Sequence, residues 1–252
     1  MGTIKVDMCD GVAVLELNNG VTNAISPGLA ADLAQALKDA LLSARGVVLC
    51  GNEKFFSMGF NLPELIDLDR EGIRDFIFGF NAAIHDLYVI PLPTAVAIEG
   101  HAIAGGTILG LAADFRIAAA GKKLLGLNEI KLGLPVPYLA LMMLSQKVSH
   151  PTVLEILYHG EFVKAEKAFD MGLVDELVAP GSARERAVDR IKTIAGYPKG
   201  AFALMKETQV ATIKGKYAEN HAEQHERFLD CWFSKETRGL LQAAAAKFKK
   251  GE

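Results

Sequence analysis

Apolar and polar positions alternate at Ile4, Val6 and Met8, and again over Val12 to Leu17 after the turn-like Cys9-Asp10-Gly11. A period of two puts every second side chain on one face, so the segment predicts two paired strands. Ser26-Pro27 then offers an N-cap followed by proline at the first helical position, and Leu29, Leu33, Ala36, Leu37 and Leu41 recur at helical spacing. This predicts an amphipathic helix of about four turns. Gly46 to Gly51 is short, apolar and bounded by glycine, as a buried strand is, and Gly51 to Pro63 reads as a loop.

The same grammar repeats. A helical pattern runs from Ile73 to Tyr88, Pro91-Leu92-Pro93 breaks it, and Thr94 to Ile98 reads as another buried strand. Glycine-rich Gly100 to Gly106 leads to a helix start at Leu109 to Ala113, then a strand at Phe115 to Ala119 and a helix from Tyr138 to Ser145. Strand pairs followed by helices predict an α/β fold with a stacked, superhelical core over residues 1–180. From 181 to 252 the chain is charge-laced and helical, with breaks expected only near Gly196 to Pro198 and around Gly215. Helices without a sheet of their own bury their apolar faces on the body or on another subunit.

Composition narrows the function. Of 252 residues half are hydrophobic and 23% charged, and 27 basic against 30 acidic residues give a net charge of −3. This balance disfavours a nucleic-acid surface, although the end of the chain carries Lys247, Lys249 and Lys250. Cys9, Cys50 and Cys231 form no zinc-type cluster, so no metal site is expected. No uncharged run reaches the roughly 18 to 20 apolar residues that span a bilayer, and the first residues lack a signal pattern. The expectation is a cytoplasmic protein with no membrane segment.

Two loops share one design, in which a buried strand ends, small residues follow and a helix begins: Phe55 to Leu62, and Gly100 to Gly106. Backbone N–H groups at two such helix starts can converge on one anionic oxygen. Taken alone, the loops read more simply as ordinary strand-to-helix turns. Neither GxGxxG, GxxxxGK[ST] nor GxSxG is present. Glu129 stands in the otherwise apolar run Gly126 to Pro135, where burial would raise its pKa toward that of a useful base; the competing reading is a capping or ion-paired glutamate, with Lys131 as partner. His101 reads as a core histidine.

In their order and separation these segments resemble the crotonase (enoyl-CoA hydratase/isomerase) superfamily over nearly the whole chain. Val21-Thr22-Asn23-Ala24-Ile25-Ser26 is similar to the family's early Asn-Ala-Leu/Ile segment, Phe56-Ser57-Met58-Gly59-Phe60-Asn61-Leu62 to its F-S-x-G-x-D-L loop, and Ala104-Gly105-Gly106 to its glycine turn. Asp114-Phe115-Arg116-Ile117-Ala118, Gly172-Leu173-Val174 and Phe233-Ser234-Lys235-Glu236 resemble later family segments.

The resemblance implies a crotonase-like ββα superhelix with a C-terminal helical trimerisation region, forming a homotrimer or hexamer. Leu204, Phe228, Trp232, Phe233 and Leu240 are the expected apolar anchors. It also implies acyl-CoA thioester substrates, with no cofactor beyond the coenzyme A of the substrate. The N–H groups of Phe60 and Gly105 would form an oxyanion hole. Asn23, Ala24 and Ile25 would lie along the adenine and pantetheine path, Met58 and Ile108 would contact substrate, and Lys247 or Lys249 would reach a CoA phosphate. Typical hydratases carry a second glutamate where Ile108 stands, leaving Glu129 alone. Together with Gly-Leu-Asn-Glu, Leu-Gly and Pro-Val-Pro, this departure is similar to the Δ3,Δ2-enoyl-CoA isomerases. Hydratase, other acyl-CoA chemistry, and a non-catalytic acyl-CoA-binding or RNA-binding member are the alternatives.

Overall fold

The computed structural model describes residues 2–250, with side chains to Phe248. Strands β1 (Ile4–Cys9) and β2 (Val12–Leu17) pair antiparallel, and helix α1 (Pro27–Ser43) follows, its N-terminus capped by the Ser26 hydroxyl on the Leu29 N–H. Three two-strand units then succeed one another. The first is β3 (Gly46–Cys50) and β4 (Phe55–Ser57) with helices α2 (Leu62–Leu65) and α3 (Arg70–Val89). The second is β5 (Thr94–Ile98) and β6 (His101–Ile103) with α4 (Gly105–Ala112). The third is β7 (Phe115–Ala119) and β8 (Leu124–Gly126), followed by a 3-10 turn (Glu129–Leu132), α5 (Tyr138–Lys147) and α6 (His150–His159). After β9 (Val163–Lys164), α7 (Ala165–Asp170) and β10 (Glu176–Val178) come three helices: α8 (Ala183–Ala195), α9 (Lys199–Trp232) and α10 (Lys235–Lys250).

In each unit the first strand enters one sheet and the second strand the other. The six-stranded sheet has the order β1-β2-β3-β5-β7-β10, parallel except for the first pair. The four-stranded sheet has the order β4-β6-β8-β9. This is the ββα spiral that the family resemblance implies.

The central strands β2, β3, β5 and β7 of the larger sheet are buried on both faces, which is why they read as nearly continuous apolar runs. Val12, Val14, Val48, Ala95 and Ile117 meet Ala183, Ala187 and Ile191 of α8, whereas the intervening Ala13, Leu15, Leu49, Val96 and Ala118 join the main core. The segment after residue 180 therefore shares the body's core. Trp232 and Leu241 are fully buried in it.

Several local expectations are corrected. The loops contain β4 and β6, and α4 begins at Gly105 rather than near Leu109. The helix α9 passes through Gly215 without a break. Of the expected association anchors, Phe228 and Trp232 are buried in their own chain and Phe233 packs against that core, while Leu204 and Leu240 are exposed. None of the described helices is long and apolar enough to cross a membrane.

Candidate active site

The loops after β4 and β6 pack directly on one another. Gly59, at φ +84°, lies so close to the second loop that a Cβ there would come within 3.0 Å of the Ile103 carbonyl oxygen and 3.1 Å of the Gly105 nitrogen. A Cβ on Gly105 would in turn meet Ile25 Cδ1 at 2.9 Å. Only glycine tolerates both the left-handed conformation and this approach. Ala104, just before Gly105, holds φ +49° and ψ −116°, a conformation costly for any residue with a Cβ.

The backbone accounting leaves two donors. Ile25 and Phe60 form a parallel bridge in which the Ile25 N–H donates to Gly59 O and the Asn61 N–H to Ile25 O. That pattern consumes the neighbours of the Phe60 N–H and leaves this group unpaired among the described residues. Gly105 opens α4, so its N–H has no intrahelical acceptor. The Phe60 ring is fixed edge-on against Phe76 and Phe80 of α3, each 4.9 Å away between ring centres.

Both residues line a cavity of about 260 Å³, together with Met58 and Glu129. Glu129 begins the 3-10 turn after β8. It is 7% exposed, and its Oε2 has no hydrogen-bond partner. Burial pushes its carboxyl up to about 7, with its own backbone N–H only partly opposing this. The pairing of Glu129 with Lys131 does not occur: Lys131 reaches outward to Glu161 at 2.5 Å. Glu129 is the one carboxylate in the cavity wall, among the described residues.

Other expected contacts lie elsewhere. Asn23 is buried behind the first loop at φ +47°, its amide donating to the Phe55 carbonyl and accepting from the Asn19 N–H. The carbonyl of Ala24 is held by the Asn19 side chain, and Ile25 buttresses the loop from below. These three support the site and do not line it. Ile108, one turn into α4, is in the main core and adds no polar group to the cavity. His101 is pinned by accepting the Leu124 N–H at Nδ1 and lies outside the cavity. Lys247 is at the cavity wall; the Lys249 side chain is outside the described residues.

The sequence reading missed Asn128, Phe162 and the C-terminal wall formed by Phe228 and Phe248. Asn128 adjoins Glu129 and was open to notice. Phe228 and Phe248 reach the site only because α9 and α10 fold back over it.

Residues 7–249 match the family model described as enoyl-CoA hydratase/isomerase. The chain belongs to this family. A relative from Mycolicibacterium paratuberculosis, named "Probable enoyl-CoA hydratase echA17", is 31% identical over 87% of this chain and 86% of its own. "Enoyl-CoA isomerase/hydratase fer4" of Mycosarcoma maydis is 31% identical over 64% of this chain and 62% of its own. The fold is that of human mitochondrial delta3-delta2-enoyl-CoA isomerase, with a TM-score of 0.95 over 99% of both chains at 23% identity. The enoyl-CoA hydratase/isomerase family thus accounts for the ββα spiral.

Proposed function

We propose that this protein moves the double bond of an enoyl-CoA from the 3 to the 2 position. The observation that carries the reading is Glu129, a single buried carboxylate with a free oxygen and a pKa of about 7, in a wall that is otherwise nearly all apolar. The thioester oxygen sits between the N–H groups of Phe60 and Gly105. Glu129 takes a proton from C2, the electron pair spreads as a dienolate onto the oxygen, and the same carboxyl returns the proton at C4. The bond is left between C2 and C3 and Glu129 is ionised again. One base facing both carbons suffices, and a dry wall favours proton return over attack by water. Coenzyme A enters as part of the substrate, and the reading includes a homotrimer or hexamer as the working form.

Water addition to the 2-enoyl ester is the second reading, favoured by the hydratase name of the 31% identical relative. Incubating trans-3-enoyl-CoA and trans-2-enoyl-CoA separately with the protein distinguishes the two. The proposal expects equilibration of the 3-enoyl ester without gain of water, falling about 100- to 10,000-fold in Glu129→Gln. The rate should also fall as pH drops below about 7, because the base must be ionised. Efficient hydration of the 2-enoyl ester with no conversion of the 3-enoyl ester would replace the isomerase reading with the hydratase.

A further inference from the structure

A second cavity, of about 350 Å³, lies behind the four-stranded sheet and takes no part in the proposed reaction. Its wall includes Gly126 of β8, Glu161 and Val163 at β9, Ile156 of α6, and Met171 and Leu173 after α7. Phe162 stands between Glu161 and Val163 in the chain, yet it lines the catalytic cavity instead. Successive side chains of an extended segment point to opposite sides, so this stretch is a partition one residue thick. Gly126 is the thin place in the neighbouring strand. A Cβ there would lie 2.6 Å from the Glu161 carbonyl oxygen and 3.3 Å from both Cα and Cδ1 of Phe162, so the 161–162 backbone and the phenyl group together cover the spot where a side chain is missing.

We propose that Phe162 is a specificity-determining residue: its ring ends the acyl-chain space of the catalytic cavity and closes it from the cavity behind β8 and β9. The proposal rests on the acyl-CoA reading above and deepens it. Substrates are then enoyl-CoA esters whose tails end before the ring. The far cavity suits methylene groups, since Ile156, Val163, Met171 and Leu173 offer apolar surface. Its charged groups, Glu155, Glu161 and Lys167, sit on exposed positions where they stay in water. On this proposal, removing the ring lets an acyl tail pass beside the 161–162 backbone toward the second cavity, without altering Glu129 or either backbone donor.

Saturated acyl-CoA esters undergo no double-bond chemistry, so their binding reports the shape of the space whichever reaction the enzyme performs. Dissociation constants are measured for butanoyl-, octanoyl-, dodecanoyl- and hexadecanoyl-CoA. In the wild type, affinity should stop rising part-way along the series. In Phe162→Ala it should keep rising, by about three- to four-fold for each further methylene admitted. The double variant Phe162→Ala/Met171→Trp, with the far cavity filled, should lose that extension. Identical chain-length profiles for the wild type and a folded Phe162→Ala overturn the proposal, as does an extension that survives in the double variant. Should Phe162→Ala fail to fold, Phe162→Leu must show a smaller extension, and a flat result there overturns the proposal equally. Failure of every ester to bind overturns the acyl-CoA reading and this proposal with it, whereas binding with water addition replaces only the choice of reaction.

Discussion

Glu129 should affect stability as well as take its proposed part in catalysis, because a carboxyl buried without a partner resists ionisation only in the folded state. Its pKa rises from 4.5 to about 7 on folding. Stability from the neutral form is therefore full below the unfolded value and is lost as pH rises through the folded one, by on the order of 3 kcal/mol in all. Glu129→Gln removes that loss. The variant should be more stable than the wild type at pH 8, while the difference should largely vanish at pH 4; denaturant titrations at the two pH values check this. An equal difference at both would mean that the carboxyl is not buried as described. This residue was legible in the sequence because its neighbours are apolar, and burial is what turns an ordinary glutamate into a base near neutrality. Phe162 was not legible. Its significance comes from Gly126 and from two cavities that meet only in the folded chain.

At the level of elements, hydrophobic periodicity located the long helices and the six-residue strands β1 and β2, where several repeats of the pattern accumulate, and unbroken apolar runs located the five-residue strands. It failed for β4, β6, β8, β9 and β10, each only two or three residues long and too short to display an alternation. These short strands nevertheless bring the two donor loops and Glu129 together, so the site was read from motif resemblance rather than from pattern. Gly215 misled in the opposite direction. A glycine suggests a helix break, but within α9 the helix is held by Val210, Ile213 and Tyr217, which are buried on either side of it. Tertiary burial outweighs a propensity cost of about 1 kcal/mol. Gly215 is exposed, and nothing lies within 4 Å of where its Cβ would be. Gly215→Ala should therefore stabilise the protein by about 0.5–1 kcal/mol, read from its denaturant midpoint at unchanged slope. A destabilised variant would indicate that α9 is bent or opened at this point.

For the whole molecule, the segment after residue 180 was expected to supply the surface for self-association, and its internal burial changes which residues can do so. Phe228 and Trp232 contribute to their own core, where Trp232 is fully buried, and cannot also face a neighbour. Of the expected anchors Leu204 and Leu240 remain exposed, and Met205, next to Leu204 on the early turns of α9, is exposed as well, at 65% against 66% for Leu204. Single exposed apolar residues are ordinary on a protein surface, and these two large consecutive ones are where the proposed oligomer would make its contact. Burying both side chains in an interface contributes about 3–6 kcal/mol per subunit by the usual scale for aliphatic groups, enough to decide between monomer and oligomer at micromolar concentration. The expected result is that sedimentation velocity at about ten micromolar finds a homo-oligomer. The paired change Leu204→Glu/Met205→Glu should shift it to the monomer without altering the far-ultraviolet circular dichroism, because neither side chain belongs to the core. A wild-type monomer at that concentration would remove the oligomer from the proposed function. An oligomer that persists in the paired variant would move the interface away from α9 to another exposed apolar group, such as Val6 and Met8 on the edge strand β1.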